Sequence, residues 1–219
     1  MEYDSKKISN YEKLCNDWMA KFQGMDKEVL RRKLPELKTE GDYLSLVHFG
    51  RKYGIHSRTG EITALEDTLP IRLTAKLNIY TLLWFSKENA FFMDKWVPFQ
   101  ELKDARPFGP AYKKGVTDVF SATFSGHLKE LEAACRKLGG QSLPQGDVGY
   151  EIHAFACVPM RFYFWDSDEE FPAQANILFD YSATDYNHIE SAVSTAEEGV
   201  SRLAEAAGLP VKGHSFQMK

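Results

Sequence analysis

Residues 161–180 read RFYFWDSDEEFPAQANILFD. An aromatic run, Phe162 to Trp165, meets four carboxylates in the five residues Asp166 to Glu170. A Phe171-Pro172 step and a second apolar run, Ala175 to Asp180, follow. Aromatic and branched side chains at this length suit a pleated, half-buried surface, and charged ones are mostly solvated. The stretch therefore predicts a strand, a charged hairpin loop and a returning strand, with Phe171 folded back on the core. Pro172, which offers no ladder donor, is expected to start the return. With Tyr150–Val158 and Met160–Trp165 ahead of the loop, residues 150–180 become antiparallel strands, and these decide the fold class.

Outward from there, Tyr43 to Phe49, Lys52 to Ser57 and Glu61 to Leu65 read as a meander over 42–66, with turns at Gly50-Arg51 and Arg58-Thr59-Gly60. Helical signals surround these strands. Ser9 and Glu12 form a capping box ahead of an apolar face that stops at Gly24. Asp26 to Leu34 reads as a short helix, and Pro70 as the first residue of a buried helix reaching about Lys87. Residues 88–115, rich in Pro and Gly, read as irregular. Helices are expected at 116–124 and 126–138, the second ended by Gly139-Gly140. In an amphipathic helix over 187–207, Ile189, Ala192, Ala196, Val200 and Leu203 share one face. Asn187 and Glu190 are placed to cap its start, and Gly208 to end it. Helices, strands, helices, strands and a last helix give an α+β fold, strands 42–66 and 150–180 packing against several helices. The 219 residues fit a single α+β domain, 1–219, with an N-terminal helical segment, 1–35, packed on it.

Composition narrows the function classes. With 27 basic against 31 acidic residues the net charge is −4, which leaves no basic excess for a phosphate backbone and argues against nucleic acid. The most apolar stretch, Ile71 to Phe85, contains Arg72, Lys76 and Asn78 and is too short to span a membrane. The N-terminus carries both signs of charge and no apolar run, unlike a signal peptide. Cys15, Cys135 and Cys157 are odd in number and form no C-x-x-C pair, so no disulfide framework or zinc site is expected. Free thiols suit a reducing compartment. The expectation is a cytoplasmic protein whose partner is a small molecule or another protein; no motif names a cofactor.

The acidic loop is the chief candidate for chemistry. Its D-x-D, Asp166 and Asp168, lacks the long α/β chain that a phosphotransferase places downstream. No G-x-x-x-x-G-K-[ST] accompanies it to cradle phosphate. Asp166, Asp168 and Glu170 alternate like calcium ligands, but an EF-hand needs Gly at its sixth position and Glu at its twelfth, where Phe171 and Ile177 stand. A looser divalent-ion site on Asp166, Asp168 and Glu170 stays open beside the solvated turn. His48, His56 and His153 lie in strands without carboxylate or Cys at ligand spacing. Cys157, between Ala156 and Val158, reads as a buried, inert thiol. Trp96, Phe99, Phe108 and Tyr112 are core aromatics or the wall of a pocket.

The run D-E-E-F-P (Asp168 to Pro172), the I-L-F-D after it (Ile177 to Asp180) and W-V-P-F-Q-E-L (Trp96 to Leu102) resemble an uncharacterised bacterial family of anaerobes, a domain of unknown function. That family's pattern at the last of these is W-V-x-F-R-E-L, so Gln100 departs from it; Ser167 stands where a Gly is usual before D-E-E-F-P, and His188 where a Pro is common before the final helix. With ample core and no assembled nucleophile–base set, the chain is expected to be a ligand- or partner-binding accessory protein without its own catalysis; the anaerobic, corrinoid-linked setting is what the resemblance implies. The motif segments and the last helix put Trp96, Phe171, Asp180 and Glu190 forward as ligand-binding positions. The alternative is a small hydrolase or lyase that uses Asp168, Glu169 or Glu170 with His188 as acid and base.

Overall fold

Two antiparallel sheets carry the period-two segments in the computed structural model, which describes residues 10–213. Strands β1 (Lys38–Glu40), β2 (Tyr43–His48), β3 (Arg51–His56) and β4 (Ile62–Ala64) form a meander in that order. Strands β5 (Trp96–Pro98), β6 (Gln141–Ser142), β7 (Val148–Phe155), β8 (Val158–Trp165) and β9 (Gln174–Asp180) form the second sheet, ordered β5-β9-β8-β7-β6. Alternation works as expected on β8: Met160, Phe162 and Phe164 are buried, and they pair with Phe179, Ile177 and Ala175 of β9. Strand β9 starts at Gln174, not at Pro172, because the loop closes on itself first.

Helices α1 (Asn10–Gln23), α2 (Lys27–Lys33), α3 (Leu73–Phe85), α4 (Gly109–Tyr112), α5 (Asp118–Phe124), α6 (Leu128–Lys137), α7 (Ala183–Tyr186) and α8 (Ile189–Ala207) complete the α+β fold. The side chains expected to cap α1, Ser9 and Glu12, lie outside the described ones. Asp26 caps α2 by accepting from the N–H groups of Glu28 and Val29, and three cations fill its last turn. Helix α3 begins three residues later than Pro70 would set it. The Arg51 guanidinium takes the carbonyls of Leu69 (2.6 Å) and Pro70 (3.2 Å), which holds that segment outside the helix. The segment 88–115 is less irregular than its prolines suggest. It supplies β5 and then one continuous helical stretch, α4 to α5, with a π turn at Lys113–Thr117.

Helix α8 corrects the expected cap. Asn187 terminates α7, its N–H bonded to Ala183 O at 3.0 Å, and its side-chain oxygen is buried without a partner. His188 takes the N-cap instead, its Nδ1 accepting from Glu190 N at 3.3 Å. At the other end Gly208 adopts φ 70°, the left-handed stop that the sequence marks.

The sheets meet where Phe49 N donates to Ala154 O (3.0 Å), and α8 lies over that junction. Phe49 itself sits at φ 45°, unusual for a residue with a side chain, followed by Gly50 at φ 71° in a tight β2–β3 turn. Its ring is fully buried, edge-on to Phe162 with centroids 6.4 Å apart. Gly199 of α8 touches both rings. A Cβ there would lie 2.8 Å from Phe49 Cζ and 2.9 Å from Phe162 Cζ. Gly199→Ala is therefore expected to destabilise the fold by about 1–3 kcal/mol through overpacking, although Ala is the better helix former by about 1 kcal/mol. An unchanged denaturation midpoint would show that the two rings can step aside.

Candidate functional site

The acidic loop is a solvated turn, and its residues serve one another. Asp168 accepts from the N–H groups of Glu170 (2.8 Å) and Phe171 (2.7 Å), and those of Phe171 and Glu170 hold its carboxyl below the usual range. A general acid needs the opposite shift. Asp166 accepts from Gly126 N (2.9 Å) and its own neighbour Ser167 N (2.8 Å). Glu169 and Glu170 are exposed. Among the described residues no three His, Cys, Asp or Glu side chains converge as metal ligands.

Phe171 is the largest departure from the reading of this loop. It is 59% exposed, not packed on the core, because the turn around Asp168 carries it outward. Phe171→Ala should accordingly change stability by no more than about 0.5 kcal/mol, as surface substitutions do. A loss of several kcal/mol in chemical denaturation would put the ring back in the core.

The other expected positions scatter. The loop precedes β9 and His188 follows it, and seven extended residues span about 20 Å. The three carboxylates and His188 thus stand at opposite ends of a strand. Glu190 is exposed beside His188 at the start of α8. Trp96 and Asp180 are cross-strand partners on β5 and β9. Asp180, 1% exposed, accepts from the N–H groups of Met93 (3.1 Å), Lys95 (2.9 Å) and Ser182 (3.0 Å), and from the Ser182 hydroxyl. Those bonds leave the carboxylate little to offer a ligand. Arg161 covers the Trp96 ring at 3.8 Å.

A cleft lies elsewhere, between α1, the β3–β4 turn with β4, and the start of α3. Its volume is about 870 Å³, within the range of small-molecule sites. One flank of helix α1 is held against α3 and the β3–β4 turn. Trp18 stacks on Tyr80 with centroids 6.4 Å apart, Phe22 is fully buried, and Gln23 Nε2 donates to Thr59 O at 3.1 Å. Gly60, at φ 78°, lets α1 come close: a Cβ there would lie 3.0 Å from Phe22 Cδ1. The adjoining stripe of α1, Cys15, Met19 and Ala20, is left facing the cleft. Opposite stand Ile62 of β4, Ile71 ahead of α3, and Leu73, Lys76 and Tyr80 on α3. The Tyr80 hydroxyl is spent on Gly60 O at 2.7 Å. Burial pushes the Cys15 thiol upward although nearby Lys76 pulls the other way.

Two buried polar clusters flank α8. His48 stacks on Phe155 and shares Asn78 with Ser194; burial drives its imidazole down to about 4, so it is neutral. Glu198, 1% exposed, is held by Arg72 Nε (3.0 and 3.1 Å) and by the Thr74 hydroxyl. Next to it Glu197 is 8% exposed, and burial, then the Glu198 charge, raise its carboxyl to about 7. Neither the cleft nor Glu197 was marked by sequence reasoning. A helical wheel does carry a signal for Glu197, which falls on the stripe Val193, Glu197, Val200, Ala204.

No curated protein and no solved structure matches the chain. A family model described as a domain of unknown function, DUF3786, matches residues 27–202, a span that includes β4, α3 and the acidic loop and begins after α1. The chain belongs to that family.

Proposed function

We propose that the chain is a cytoplasmic binding protein without catalysis of its own, and that it holds a small ligand in the cleft between α1, β4 and α3. The cleft carries this reading: it is the size of a ligand site, its walls are mostly apolar, and a few polar groups stand among them. The acidic loop supports catalysis poorly, since its carboxylates are exposed and stand apart from His188. Three free cysteines agree with a reducing compartment. Placement in anaerobic, corrinoid-linked metabolism rests on the family resemblance alone.

Titration with the neutral apolar dye Nile red tests the cleft. Saturable, one-site fluorescence enhancement is expected for the wild-type chain. Ile71→Arg, on the cleft wall, and Ala20→Trp, which fills it from exposed α1, should each weaken binding about tenfold or more, equivalent to 1.4 kcal/mol. Enhancement that survives both substitutions would place the dye elsewhere and end this reading.

A further inference from the structure

We infer that the ligand of the cleft is a monoanionic organic acid with an apolar body, its carboxylate set against Lys76; this rests on the binding reading of the cleft. Three of the polar groups on the walls are already committed. Gln23 is bonded to Thr59 O, the Tyr80 hydroxyl to Gly60 O, and the Thr59 hydroxyl accepts from Glu61 N. Among the described residues of the walls, the side chains bearing nitrogen or oxygen that are left without a hydrogen bond or ion pair are Asn16, Glu61 and Lys76. Asn16 and Glu61 are exposed, so water satisfies them, whereas Lys76 is half-buried.

A cation partly withdrawn from water among apolar side chains gains most from an anion, because a charge-assisted hydrogen bond is stronger where water is scarce. One ammonium balances one negative charge, which fits a carboxylate better than a dianionic phosphate. Lys76 and Tyr80 are four residues apart on α3 and share a face. An acid bound at Lys76 therefore lays its body along Tyr80, Met19 and Ile62, toward the end that Gln23 and Thr59 close.

Displacement of Nile red by octanoate, octanol and octylammonium, three probes of one chain length, tests the assignment. Octanol is the most apolar and would win in a merely greasy cleft. The expected result is octanoate displacing dye at about a tenfold lower concentration than octanol, the equivalent of one charge-assisted bond. Lys76→Met should remove that preference and Lys76→Arg should keep it, with circular dichroism spectra matching wild type. The wild-type comparison alone decides the case if Lys76→Met folds poorly. Octanol equal to octanoate, or octylammonium tightest through Glu61, would overturn the ligand class while dye binding left the cleft standing. Loss of the cleft reading would show differently, as dye binding indifferent to Ile71→Arg.

Discussion

Replacing Arg72 by Met is expected to cost the fold about 3 kcal/mol, the low end for stranding one member of a buried ion pair. Glu198 is 1% exposed, and Arg72 bonds both of its oxygens. Without the guanidinium, the carboxylate keeps only the Thr74 hydroxyl. Glu205, which Arg72 also holds, is still served by Arg202 at 3.0 Å and sits nearer to water, which is why the loss stays at the low end. Adding Glu198→Gln to Arg72→Met should recover much of the loss, since the stranded charge is then gone. Urea denaturation of the two single variants and the double variant closes the cycle. Additive losses would mean that the pair is not coupled through burial.

The second large effect is a dependence of stability on pH through Glu197. Its carboxyl is raised to about 7 in the folded chain, from an ordinary value of 4.5. Below pH 4.5 both folded and unfolded chains hold the proton, and the group is neutral in the balance. Between pH 4.5 and pH 7 the unfolded chain has released it and the folded chain has not. The folded state then binds more protons, so stability falls as pH rises, by up to about 3 kcal/mol above pH 7. Glu197→Gln should flatten that slope and be the more stable protein at pH 8. Parallel pH profiles for the two proteins would show that Glu197 ionises at no cost.

Much of this fold was legible in the chain. Asp26 announces α2 because its carboxylate can meet two orphan N–H groups. The β8–β9 hairpin shows through because aromatic strands bracket a run of charge. The misses have physical causes. Strand β5 is three residues long and ends in Pro98, too short for alternation to register. The α8 cap slipped by one residue because α7, four residues long, claims Asn187 first. Phe171 looked like core because an aromatic between carboxylates and Pro is usually anchored by packing. Only the turn around Asp168 shows it pointing outward. The cleft was hidden for another reason. Its walls come from residues 15–23, 59–62 and 71–80, and the apolar side chains of a cleft wall look, in sequence, like those of a core.

Mapping where a ligand touches the chain tests the central claim most directly. Amide chemical shifts of the ¹⁵N-labelled protein, followed during titration with octanoate, should move on α1 from Cys15 to Gln23, at Thr59 to Ile62, and from Ile71 to Tyr80. The loop from Asp166 to Phe171 should stay still. Saturable shifts confined to that loop or to His188, with the cleft unmoved, would contradict the account.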